Sequence, residues 1–146
     1  MRFFSLFLVG IIAGSMITIQ SVLNSALGKK TGNFGSILIL TLVSISVLLL
    51  LIGLLPGTAN FKNLPGLAEW YLYAGGVLGI VILAAPIFLI PRIGATSTLT
   101  ALVLGQLLLA LVLDQFGLFG LPKIEINLIR VVGLILVVVG ALLIKQ

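Results

Sequence analysis

The sequence predicts an all-α membrane protein that crosses the bilayer five times. Of its 146 residues, 61% are hydrophobic and only 8% are charged, whereas a soluble globular protein carries about 25% charged residues. The apolar residues form runs of about 20, the length that an α-helix needs to cross the hydrocarbon core. The predicted helices, within a single domain over residues 1–146, cover residues 3–27, 35–55, 69–89, 96–113 and 127–144.

Charge and turn-forming residues mark the segments between these helices. The sequence GKKTGN at residues 28–33 ends the first helix, and Pro56-Gly57 stops the second. The segment Pro91 to Gly94 turns the chain between the third and fourth helices. The third helix begins in an aromatic cluster that suits the headgroup level of a membrane, and this cluster contains Trp70, Tyr71 and Tyr73.

The first helix carries a stripe of small and polar residues. At 100° per residue the stripe comprises Gly10, Gly14, Ser21, Asn24, Ser25 and Gly28, with Gln20 at its edge. A buried carboxamide in lipid is costly unless it is hydrogen-bonded. Gln20 and Asn24 therefore mark either a contact with another helix or a water-filled cavity. Together with Gln106, well inside the fourth helix, they are the candidate substrate-binding residues.

The acidic residues avoid the middle of the predicted helices. Glu69, Asp114 and Glu125 are the three acids of the chain, and all lie at helix ends or in loops on one side of the membrane. No carboxylate is therefore placed at mid-membrane for proton coupling. The macrodipole disfavours Asp114 at the C-terminal end of the fourth helix, and Arg130 is placed to offset its charge. This pair is either a brace at the membrane edge or a part of gating or substrate entry.

A polar track is a further expectation from these positions. Gln106 precedes Asp114 by eight residues, which places it about 12 Å deeper along the helix. If the first and fourth helices pack together, Asp114, Gln106 and the Gln20/Asn24 pair form one polar line through the membrane.

The basic residues predict no single orientation in the membrane. Five crossings place Arg2, Lys62, Lys123 and Arg130 on one side and Lys29, Lys30, Arg92 and Lys145 on the other. Orientation follows the Lys/Arg bias of short loops, and here the difference is 4 − 4 = 0. The even split is either chance or the mark of a protein that inserts both ways and forms an antiparallel homodimer. Such a pair would make a ten-helix inverted repeat from two chains.

Pairs of glycines predict close approach between helices, because a missing side chain lets two backbones come together. The pairs are Gly10 and Gly14, Gly75 and Gly79, and Gly133 and Gly140.

The composition also argues against several classes of function. The chain has no Cys and no His, so thiolate chemistry and His-ligated metal sites are excluded. Catalytic triads, phosphate loops and paired carboxylates lack their residues, which predicts a protein that is not an enzyme and uses no cofactor or metal. The eight Lys and Arg are scattered, so the net charge of +5 does not indicate nucleic acid.

Several motifs resemble those of one family over nearly the whole chain. They are Ala13-Gly14 with Gln20 and Asn24, Trp70 with Gly75-Gly76 and Gly79, Pro91 with Gly94, Gly105-Gln106, Asp114-x-Phe116-Gly117, and Arg130-x-x-Gly133 with Gly140. The sequence resembles the YdcZ family of inner-membrane exporters in the drug/metabolite transporter superfamily. The resemblance implies a multi-pass protein of the bacterial inner membrane, a five-helix unit that is half of a ten-helix transporter, and a dual-topology antiparallel homodimer.

The resemblance also assigns Gln20, Asn24, Gln106 and Asp114 to the shared core of the family. The related four-helix small multidrug exporters carry a membrane glutamate in the first helix, and this sequence has none. Their proton-exchange mechanism is therefore not expected here.

Three functions are compatible with these features. The first is a secondary transporter that exports an unknown small organic molecule or metabolite by alternating access. The second is a non-transporting membrane scaffold or accessory subunit, and the third is a lipid-handling protein. A scaffold would bury Gln20 and Gln106 against other side chains, whereas a carrier would leave them lining a cavity.

Overall fold

The computed structural model describes residues 2–144, with side chains described for residues 4–143. Within this range every regular element is a helix, which confirms the all-α prediction. The α-helices are α1 (Arg2–Thr31), α2 (Asn33–Leu54), α3 (Ala74–Phe116) and α4 (Leu128–Ile144), and the short 3₁₀ helices are Phe61–Asn63, Leu67–Tyr73 and Leu118–Gly120.

Three helical segments are long and apolar enough to cross a membrane. By length and composition these are Phe4–Thr31, Asn33–Leu54 and Leu67–Phe116, and a shorter apolar helix covers Leu128–Leu143. The chain divides into two compact units, Met1–Pro91 and Arg92–Gln146.

In the first unit, α1 continues four residues beyond its predicted end at residue 27. Lys29 and Lys30 lie in the last turn of α1, where positive charge is favourable because it complements the C-terminal end of the helix dipole. The Thr31 hydroxyl donates a hydrogen bond to the carbonyl of Leu27 at 3.1 Å. The prediction of a turn over residues 28–33 was therefore wrong for all but Gly32, whose φ of 77° ends the helix.

Among the glycines of this unit, Gly28 has the closest neighbours. A Cβ atom on Gly28 would lie 2.6 Å from Cγ2 of Ile87 and 3.5 Å from Oγ of Ser36. Both neighbours are almost fully buried, and they belong to α3 and α2 respectively. Side chains of α2 and of the first half of α3 therefore meet α1 at Gly28.

We expect Gly28→Ala to destabilise the protein, because the added methyl group overlaps a buried side chain that has no free space. Overpacking of this kind costs about 1–3 kcal/mol. The matched control is Gly53→Ala in α2, since a Cβ there meets no atom within 4 Å and alanine favours a helix by about 1 kcal/mol. Thermal unfolding in detergent should show a lower Tm for Gly28→Ala alone, and equal Tm values for the two variants would contradict this packing.

The third predicted helix starts later than expected. Residues Leu67–Tyr73, which contain the aromatic cluster, form a 3₁₀ helix, and Glu69 within it has non-helical dihedral angles. The Tyr73 hydroxyl donates to the carbonyl of Pro65 at 2.9 Å. This contact ties the aromatic segment to the preceding loop, so the α-helix begins only at Ala74.

The predicted third and fourth helices are joined within α3. Gly94, with φ 78° and ψ 164°, is its one non-helical residue. The break falls within the predicted Pro91–Gly94 turn, and only glycine adopts such a φ without strain. Residues 74–93 and 95–116 are each at least 20 residues long, which is enough for one crossing apiece. Five crossings in all remain a prediction.

In the second unit, side chains fix the connection between α3 and α4. The Gln115 carboxamide oxygen accepts a hydrogen bond from the backbone N–H of Ile126 at 2.6 Å. The Asn127 carboxamide oxygen accepts one from the N–H of Arg130 at 2.9 Å, so Asn127 caps α4. The predicted start of the fifth helix at residue 127 agrees with this cap to within one residue.

Candidate functional site

The second unit brings Asp114 and Arg130 together. Nη2 of Arg130 donates to Oδ2 of Asp114 at 3.0 Å, and the two side chains are 32% and 29% exposed. Asp114 lies in the last turn of α3 and Arg130 in the first turn of α4. Both positions are unfavourable for these charges with respect to the helix dipoles, and the ion pair offsets both penalties. A role in gating remains a prediction.

This ion pair lies at one end of a cavity of about 400 Å³. The wall is otherwise apolar, and the full lining is Leu107, Ala110, Leu111, Asp114, Arg130, Gly133, Leu134 and Val137. This cavity was not among the features predicted from the sequence. The sequence does carry a signal for it. The lining residues of α3 precede Asp114 by three, four and seven positions, and those of α4 follow Arg130 by three, four and seven positions. Each set therefore lies on one helical face.

The three candidate amides have different environments. Gln20 and Gln106 are exposed, whereas Asn24 is only 3% exposed. Among the described residues none of the three carboxamides has a hydrogen-bond partner. A carboxamide that lacks a partner in an apolar helix is unfavourable in lipid.

The structure does not place Gln106 in line with Asp114. Eight residues at 100° each rotate Gln106 by about 80° from Asp114, and Gln106 is not among the residues that line the cavity. The lining continues instead over Leu107 and Leu111. Gln106 thus lies outside this cavity, and the polar track remains a prediction.

The polar stripe of α1 is buried only over its second half. Ser21, Asn24 and Ser25 are each at most 4% exposed, and Gly28 is also buried. Gly10 and Gly14 at the other end are exposed.

The predicted packing glycines lie in open space within the chain. A Cβ on any of them would meet no atom within 4 Å, and they are Gly10, Gly14, Gly75, Gly79, Gly133 and Gly140. Their role in close helix approach remains a prediction. Within the described residues, it is Gly28 that permits a close approach between helices.

Two other observations complete the survey of the described residues. A second cavity of about 500 Å³ lies in the second unit, lined by Ile93, Ser97, Thr100, Ala101, Leu104, Ala141 and Leu142. It contains none of the predicted site residues. No group of His, Cys, Asp and Glu within the described residues could hold a metal ion.

Comparison with known proteins identifies the family. The family model described as "Putative inner membrane exporter, YdcZ" matches residues 5–143. The chain belongs to the YdcZ family. It is also 30% identical over 137 residues to the inner membrane protein YdcZ of Escherichia coli (strain K12), covering 93% of this chain and 91% of that protein. No solved structure shows significant similarity. The resemblance found in the sequence is thus confirmed, and the long apolar helices agree with a membrane protein of the YdcZ family.

Proposed function

We propose that this chain is a secondary transporter, and not an enzyme, that exports small organic molecules or metabolites across the bacterial inner membrane. Two copies form an antiparallel homodimer of ten helices, and the substrate crosses by alternating access. Membership of a family described as inner membrane exporters supports the class of function. The mechanism and the assembly are inferred from the residues of this chain.

The observation that carries this proposal is the pair of exposed amides on apolar helices. Gln20 and Gln106 have no partner within the described chain, and lipid cannot supply one. In an antiparallel dimer each amide occurs twice, related by a two-fold axis in the membrane plane. Four such amides hydrogen-bond a polar or weakly charged solute without a fixed charge that would hold it too tightly. Buried Asn24 adjoins this site in the proposal.

A binding screen of the purified dimer against a metabolite library is the direct test. A bound compound should then be exported by cells or proteoliposomes that contain the protein. A dimer that binds no small molecule, and whose loss leaves metabolite efflux unchanged, would favour the scaffold function instead.

The antiparallel assembly leads to a separate expectation about topology. Because the predicted loops carry four basic residues on each side, C-terminal reporter fusions should detect both orientations in comparable amounts. Two lysines added after Gln146 should shift the population towards one orientation, because loop charge directs insertion. A wild-type protein found in one orientation only would rule out the antiparallel homodimer.

A further inference from the structure

The cavity beside Asp114 and Arg130 is a groove with a polar end and an apolar body. Each of its two helical walls runs over eight residues, a rise of about 10 Å. Asp114 is the last lining residue of α3, near the end of that helix, and Arg130 is the first lining residue of α4, near its start. The apolar body therefore extends from the ion pair towards the middle of both helices.

The ion pair leaves hydrogen-bonding atoms of both charges unused. Only Nη2 and Oδ2 are in contact. Nη1 of Arg130 is buried without a hydrogen-bond partner, and Oδ1 of Asp114 makes no hydrogen bond to another described residue. A buried donor without an acceptor is unfavourable. The Arg130 side chain is about one-third exposed, so its guanidinium has room to turn the unused edge towards a ligand.

We propose that this groove binds a zwitterionic phospholipid with a primary amine. The phosphate accepts hydrogen bonds from Arg130, the ammonium group donates to Asp114, and one acyl chain lies along Leu107, Leu111 and Leu134. This site is separate from the amides of the proposed transport path, and it does not depend on transport.

Charge complementarity selects this ligand. The ion pair has no net charge but presents a positive and a negative group side by side. It therefore matches a headgroup that also has no net charge and carries a negative and a positive group. A purely anionic headgroup would be repelled by Asp114, and a quaternary amine has no N–H to donate. The position at helix ends corresponds to the headgroup level, and about 400 Å³ lies within the usual range of about 300–1,000 Å³ for ligand sites.

Native mass spectrometry of the delipidated full-length protein tests the proposal. Phosphatidylethanolamine, phosphatidylcholine and phosphatidylglycerol with identical acyl chains are added separately. We expect one phosphatidylethanolamine per chain, bound about tenfold more tightly than the other two, because charge-assisted hydrogen bonds are the stronger ones. Equal retention of the three lipids, or displacement by soluble phosphoethanolamine at the same concentration, overturns the proposal.

Two variants and one matched control distinguish the contribution of the polar end to lipid binding from that of the apolar body. Ala110→Phe fills the groove and should abolish retention, whereas Asp114→Asn with Arg130→Gln should remove only the preference for the amine headgroup. The control is Lys123→Gln with Glu125→Gln, which removes an exposed ion pair of 3.6 Å that lies outside the groove, and it should bind as the wild type does. If Ala110→Phe does not fold, the test rests on Asp114→Asn with Arg130→Gln, and an unchanged headgroup preference in that variant overturns the proposal. A wild type that retains no lipid but loses its dimer in Ala110→Phe identifies a protein contact and overturns the lipid site.

Discussion

Alanine at Gln20 or Gln106 is expected to abolish most transport while folding and dimer formation persist. A hydrogen bond between membrane helices or to a solute contributes only about 0.6–2 kcal/mol, and each substitution removes two amides from an antiparallel dimer. The lost interaction is then about 1–4 kcal/mol, which corresponds to a decrease in transport of about fivefold to nearly a thousandfold. Transport of a compound found in the binding screen measures this effect, and the elution volume in detergent reports the dimer.

Two further variants act as controls for this prediction. Asn63→Ala removes an exposed carboxamide from a 3₁₀ helix outside the apolar spans, so transport should not change. Asn24→Ala should also reduce transport, but its stability must be measured as well because Asn24 is almost fully buried. Dimers that dissociate in Gln20→Ala and Gln106→Ala would identify the amides as contacts between helices. Normal transport in both would place the substrate elsewhere.

The ion pair between Asp114 and Arg130 should stabilise the protein, and reversing it should not harm stability. Asp114→Asn or Arg130→Gln alone leaves one partly buried charge without its partner. The two side chains are about one-third exposed. The expected loss in the free energy of unfolding therefore lies between that of a surface ion pair and that of a buried one, at about 1–3 kcal/mol. The exchange Asp114→Arg with Arg130→Asp restores the pair, and it also places each charge where its helix dipole is favourable.

Unfolding in detergent should therefore rank the exchanged variant at least equal to the wild type and both single variants below it. An exchanged variant as unstable as the single variants would contradict the ion pair as the source of stability. Transport then distinguishes the two roles of the pair. A stable exchanged variant that fails to transport assigns Asp114 and Arg130 to gating or substrate entry, and one that transports normally assigns them to a structural brace.

Local signals account for the features that sequence analysis could predict. Asn127 caps α4, and a capping residue before an apolar run is visible in the sequence. Gly94 breaks α3 inside the predicted Pro91–Gly94 turn. The end of α1 was harder, because GKKT is compatible both with a turn and with a helix C-terminus that carries favourable lysines.

Contacts between distant segments explain what the sequence could not predict. The glycine in close contact is Gly28, opposite Ile87. Gly32 follows it at the four-residue spacing of close-packing glycines, but the pair falls in the segment that the sequence predicted to be a turn. The groove combines residues from two helices, and neither wall alone distinguishes a cavity from an ordinary apolar face.

The single residue between α1 and α2 has a consequence for biosynthesis. Gly32 adopts a left-handed φ of 77° and leaves no slack between helices of 30 and 22 residues. As the chain leaves the ribosome, we expect α2 to follow α1 into the bilayer as one helical hairpin. Lys29 and Lys30 lie beside its tip, so their side of the membrane determines the direction of both helices in one step. An early error in the orientation of α1 could not be corrected by α2 alone.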